Sequence, residues 1–239
     1  MLRLDPFLEA PDADRVLTVL RRLNDCGLDY AVTGGMALES SLGLELGRRR
    51  PFNDIDLVVS GFDSLPSTLA SRFLISHSHP KRPTGKLAIQ LVEPEQRVRI
   101  DVFSACGATM ERARLATIGD LSIRTVAVED LACRIASEMM CFSRGDSVPP
   151  KCADDHARAR RIVDKNLVEQ AWQDHRREID PPSYAEAVEQ IGEALERRTG
   201  GLVKSVYSTD TETVCPHCHD SDSLRVTPSK VILSVLGYC

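Results

Sequence analysis

Two short apolar runs in this chain carry aspartate where a buried strand would ordinarily carry hydrocarbon. The first, Asn53-Asp54-Ile55-Asp56-Leu57-Val58-Val59, places Asp54 and Asp56 two residues apart, and the second, Arg99-Ile100-Asp101-Val102-Phe103, places Asp101 between Ile100 and Val102. Strand side chains alternate between faces, so Asp54 and Asp56 leave the same face. If the two strands are neighbours, three carboxylates converge on one patch. Crowded like charges in a partly desolvated place destabilise a fold. Divalent cations remove that cost, and Mg²⁺ prefers a few carboxylates together with phosphate oxygens. Upstream, Gly34-Gly35 separates a strand-like stretch from a helical one, so backbone N–H groups at a helix start are open to an anion. Together these features predict a site for nucleotide phosphates.

Bulk properties agree with an ordinary globule. The chain has 239 residues, 42% hydrophobic and 27% charged, enough for a core and more than one domain. No apolar run approaches the roughly 20 residues of a membrane span. The start, with Asp5, Glu9, Asp12 and Asp14, lacks the apolar centre of a signal peptide, so a cytoplasmic protein is expected. A net charge of −5 argues against indiscriminate nucleic-acid binding. Two local basic clusters, Arg48-Arg49-Arg50 and Arg158 with Arg160 and Arg161, are either solvated faces or ligand contacts. Five scattered cysteines (Cys26, Cys106, Cys133, Cys141, Cys152) read as small buried hydrophobes.

Periodicity divides the chain. Residues 12–27 predict an amphipathic helix ended by Gly27. Residues 30–33 predict a strand, 34–46 a helix, 54–60 a strand, 61–66 a turn and 65–73 a helix. Residues 76–85, with His77 and His79, read as a mobile loop. Residues 86–92 and 97–104 predict a hairpin, and 113–117 and 121–125 two further strands. From 128 the pattern is helical, over 128–143, 152–164, 166–178 and 183–198, with Pro181-Pro182 between the last two. The expected organisation is α/β (α+β): a mixed-sheet domain at 1–126, a helical domain at 127–200 and a small tail at 201–239.

The order Gly-Gly before a helix, Asp54-Ile55-Asp56 on a strand and Ile100-Asp101-Val102 on another resembles the nucleotidyltransferase fold of the polymerase-beta superfamily. The spacing of eighteen residues between Gly35 and Asp54, with its basic run, resembles abortive-infection-type nucleotidyltransferase toxins and minimal nucleotidyltransferases. The resemblance covers about 28–105 and implies a mixed sheet flanked by helices, an NTP substrate and Mg²⁺, two ions held by Asp54 and Asp56. It also implies transfer of an NMP to a hydroxyl on protein, RNA or a small molecule, with Asp101 beside the acceptor. In these relatives a Lys-x-x-x-Asp segment opens a later helix, a role Lys151 and Asp155 match. An antitoxin or a second copy of the chain is the kind of partner implied. An aminoglycoside-like acceptor, or a non-catalytic nucleotide- or partner-binding module, is the alternative.

Plainer readings stand beside these. Asp54 could cap a turn, and Asp101 could pair with Arg99 or Arg97. Gly34 and Gly35 could form only a turn. Lys86 either reaches phosphate or lies on a surface strand edge, and Lys151 with Asp155 could form an exposed ion pair. Near the C-terminus, Cys215-Pro216-His217-Cys218-His219 has the knuckle spacing of a zinc ribbon. Cys215, Cys218, His219 and Cys239 are the expected zinc ligands. The competing reading is exposed thiols.

Overall fold

The structure, a computed structural model, describes residues 1–78, 88–144 and 148–199. These residues divide into two compact units, Met1–Val128 and a second that begins at Glu129. Lys86, His79 and the four expected zinc ligands, Cys215, Cys218, His219 and Cys239, lie outside the described residues, as does the tail at 201–239.

The first unit is a mixed sheet with helices. Its elements run β1 (Leu2–Arg3), α1 (Ala10–Asp25), β2 (Ala31–Val32), α2 (Gly34–Leu46), β3 (Asp54–Val59), α3 (Leu69–Arg72), β4 (Leu74–Ser78), β5 (Ala88–Glu93), β6 (Val98–Ser104), β7 (Arg114–Ile118) and β8 (Leu121–Thr125). The strand order is β1-β7-β8-β2-β3-β6-β5-β4. β3 runs parallel to β6, while β2–β3, β5–β6, β4–β5 and β7–β8 are antiparallel. The mixed α/β architecture and the expected β5–β6 hairpin are present, and the two further strands expected, β7 and β8, pair as a second hairpin.

Alternation sets the faces of the central strands. Ile55, Leu57 and Val59 of β3 and Ile100 and Val102 of β6 are fully buried. They join one apolar cluster with Val16, Val19, Leu20 and Leu23, the stripe of α1. Each such side chain contributes about 2 kcal/mol. The opposite face of the same strands carries Asp54, Asp56, Arg99 and Asp101. The chain leaves α1 through Gly27, whose φ of +75° suits a glycine; the Leu28 N–H returns to the Leu23 carbonyl at 3.2 Å.

Three local expectations need correction. The helix expected over 65–73 is only the four-residue α3, preceded by a 3-10 turn at Phe62–Ser64, because Pro66 interrupts the segment. The loop expected from 76 begins later: β4 carries the ladder through Ser78, pairing His77 with Gln90 and Ser78 with Ile89. Its polar residues hid it, because an edge strand does not require alternation. β1, two residues long and parallel to β7, was not expected.

The second unit consists of α4 (Val128–Arg144), which begins at the last residue of the first unit, α5 (Pro150–Ala159), α6 (Lys165–His175) and α7 (Tyr184–Thr199). Asp164 caps α6, accepting from the N–H groups of Asn166 and Leu167 at 2.8 and 3.0 Å. Trp172 is fully buried, donates from Nε1 to the Pro181 carbonyl at 2.9 Å and meets Tyr184 edge-on. No described helix is long and apolar enough to cross a membrane.

Candidate active site

The parallel pairing of β3 and β6 decides where the acids go. Asp56 is the register partner of Asp101, and Asp54 that of Arg99. With a two-residue period, all four side chains leave one face of two adjacent strands. β5 adds Gln90, the register partner of Asp101 on the other side. Gln90 Nε2 donates to Asp101 Oδ1 at 2.9 Å.

Arg99 is half exposed and forms an ion pair with Asp54 Oδ2; its Nε lies 3.7 Å from Asp101 Oδ1. Partial burial pulls the Arg99 pKa down. The hydrogen bond to Asp54 and the charges of Asp54, Asp101 and Asp56 push it up by more, so the net shift is upward. All three carboxylates therefore bear on one guanidinium. The pairing of Asp101 with Arg99, a plainer reading of the sequence, is present. Among the described residues no three His, Cys, Asp or Glu side chains form a ready metal cage.

The second wall is the start of α2. β2 pairs with β3, and the Thr33 N–H donates to the Asp56 carbonyl at 2.8 Å. The chain then turns at Gly34, with φ of +64°. A Cβ there would lie 2.0 Å from Asp56 Oδ2, so the carboxylate occupies the space any other residue would fill. Gly35 differs. Its φ is not positive, and a Cβ there would meet only Arg50, at 3.6 Å. The backbone requires the first glycine and not the second. The Thr33 hydroxyl, buried beside this turn, has no hydrogen-bond partner among the described residues and does not cap α2. An unpartnered buried hydroxyl costs about 1–3 kcal/mol and is a feature to expect beside a ligand site.

The basic run before β3 is anchored rather than simply solvated. Glu39, 1% exposed on α2, accepts from the Arg48 backbone N–H at 2.8 Å and forms an ion pair with the Arg50 guanidinium. Arg50 is thereby set against the first turn of α2. Sequence reasoning did not assign this role, although Glu39 four residues beyond Gly35 places it one turn along the same face.

Lys151 and Asp155 lie on α5 in the second unit. Lys151 is exposed and Asp155 buried, with Arg158 NH1 4.0 Å from Asp155 Oδ1. Asp155 thus faces an arginine one turn on from a buried position. His77 lies on β4.

No known family model matches the chain, and no curated protein matches it. Among solved structures it is similar to an antigenic nucleotidyltransferase-like protein from Paracoccidioides brasiliensis, with 18% identity over 81% of this chain and 91% of that one, at a TM-score of 0.48. It is also similar to the antibiotic-resistance factor ANT(2'')-Ia, with 15% identity over 80% and 97% of the two chains and a TM-score of 0.45. Likenesses at this level concern the course of the chain and bear on neither substrate nor residue roles.

Proposed function

We propose that the chain is a nucleotidyltransferase that moves a nucleoside monophosphate from an NTP to a hydroxyl acceptor and releases pyrophosphate. The observation that supports this most is the Asp56–Asp101 register on parallel strands, with the Gly34 backbone closed against Asp56 at the start of a helix. The donor set suits hard divalent cations: three part-buried carboxylates on one face, next to the N-terminus of α2 with its backbone N–H groups. Asp54, Asp56 and Asp101 are the residues that would hold Mg²⁺. When bound, the metal supplies charge neutralisation at the triphosphate and a template for in-line attack.

The chain's own groups divide the remaining work. The N–H groups of the first turn of α2 bind the β- and γ-phosphate oxygens, aided by the positive end of the helix dipole. Arg50, held by Glu39, adds a fixed positive charge on the same side. The Asp101 carboxylate accepts the proton of the attacking hydroxyl, and the Gln90 amide keeps it oriented. Most of the acceleration in such a site comes from positioning and fixed charge.

Incubating the full chain with each α-labelled NTP, Mg²⁺ and cell extract tests the reading. Label transferred to a protein, RNA or small molecule by wild type and not by Asp56→Asn supports it. Tight NTP binding with no transfer to any acceptor would identify a non-catalytic nucleotide-binding module instead.

A further inference from the structure

Resting on the metal-dependent reading above, we infer that Arg99 is a built-in counter-ion of the carboxylate face that competes with the divalent cation and leaves when the cation binds. Arg99 is in register with Asp54 and two residues before Asp101, so strand geometry alone places its guanidinium between the two outer acids. It engages Asp54 Oδ2 directly and lies within 4 Å of Asp101 Oδ1, and the charges of all three acids act on it. Both carboxylates belong to the set that would hold the cation. A divalent ion bound to them would place a second positive centre within a few Å of the guanidinium, in a setting only partly screened by water. The two cations cannot share the patch, so each must weaken the other's hold.

The arrangement solves a folding problem. Two carboxylates in register on adjacent strands repel, and the strands must pair before any ligand arrives. Arg99 offsets that repulsion from within the chain, without sealing the site. Its side chain is 49% exposed and has solvent to move into. Once displaced, the planar guanidinium is free to pair with an anionic group of a ligand. The competition predicts that the nucleotide-free protein holds divalent metal weakly.

The test is Mn²⁺ binding to the full chain without nucleotide, followed by electron paramagnetic resonance, in wild type, Arg99→Gln, Arg99→Lys and Asp56→Asn. Arg99 is exposed enough that Gln or Lys should leave the fold intact, checked by thermal melting. Arg99→Gln should tighten Mn²⁺ binding by at least about fivefold, within the range of ordinary coupling between two sites. Arg99→Lys, which keeps the charge, should stay near wild type, and Asp56→Asn should abolish the site. Mn²⁺ binding that is lost in Asp56→Asn yet equal or weaker in Arg99→Gln overturns the competition while leaving the metal site standing. Absence of any Asp56-dependent Mn²⁺ site in both wild type and Arg99→Gln overturns the metal-dependent reading, and this inference with it.

Discussion

The carboxylate face of the sheet and the interior of the helical unit both gather charged groups, partly exposed on the first and buried in the second, and they treat them differently. In the helical unit buried polar groups are matched. Asp130, fully buried, meets His175 Nε2 at 2.9 Å; His156 Nε2 meets the Tyr184 hydroxyl at 2.9 Å; and Asp180 takes the Arg177 side chain at 2.9 and 3.0 Å. Such pairing satisfies each buried group where it stands. On the sheet, Asp54, Asp56 and Asp101 all bear on Arg99, and the Thr33 hydroxyl, at the turn into α2, has no hydrogen-bond partner among the described residues. Matched polar groups mark places where a protein holds itself together. Like charges gathered on one face mark a place to look for a ligand.

That contrast can be broken by mutation. Asp56→Asn should lower nucleotidyl transfer by on the order of 10³-fold, because the charge it removes acts in the transition state. Its melting temperature should match or exceed wild type, since one repulsive charge has gone. A mutant that loses stability in proportion to activity would place Asp56 with the structural acids. Asp130→Ala should behave in the opposite way. Breaking the buried pair with His175 should cost about 3 kcal/mol, read from urea unfolding.

Acid sensitivity sharpens the same comparison. Burial is the main reason the His156 pKa is depressed from 6.5 to about 4, with the nearby Arg160 charge adding to it. The folded state therefore prefers neutral imidazole, while the unfolded chain takes up a proton below pH 6.5. His156 should give its full stabilisation above pH 6.5 and lose it as pH falls toward 4, a loss on the order of 3 kcal/mol. Urea midpoints at pH 7 and 4.5 check this. His156→Gln should flatten that part of the dependence, and an unchanged profile would assign the acid sensitivity elsewhere.

The glycines offer the finest distinction. Gly34→Ala must accommodate a positive φ and push Asp56 aside, so about 2 kcal/mol of stability and most of the activity should go. Gly35→Ala meets no such obstacle and should change stability by about 0.5–1 kcal/mol at most, in the stabilising direction because alanine favours a helix. Equal effects at the two positions would contradict the turn geometry.

Much of the first unit was legible because periodicity is a local property. The stripe of α1, the alternation in β3 and β6, and the polar turns of both hairpins each announce themselves within a few residues. What stayed hidden depends on partners far along the chain. β1 and β4 are strands only because β7 and β5 offer ladders to them. The acids' placement on one strand face could be read directly, but their meeting depends on β3 lying beside β6, with α3, β4 and β5 between them in sequence. Arg99 two residues before Asp101 was visible as a competitor for a single pair. Its reach to Asp54 follows only from the inter-strand register. Glu39 as the anchor of the basic run was invisible for the same reason.

Diffraction from crystals of the full chain soaked with Mn²⁺ and a non-hydrolysable NTP, recorded for anomalous signal, addresses the site most directly. The expected result is a Mn²⁺ peak bounded by the carboxylates of Asp56 and Asp101, with the triphosphate over the first turn of α2 and Arg99 withdrawn from Asp54. Nucleotide bound elsewhere, or Arg99 still bridging Asp54 and Asp101 with no peak beside them, would contradict it.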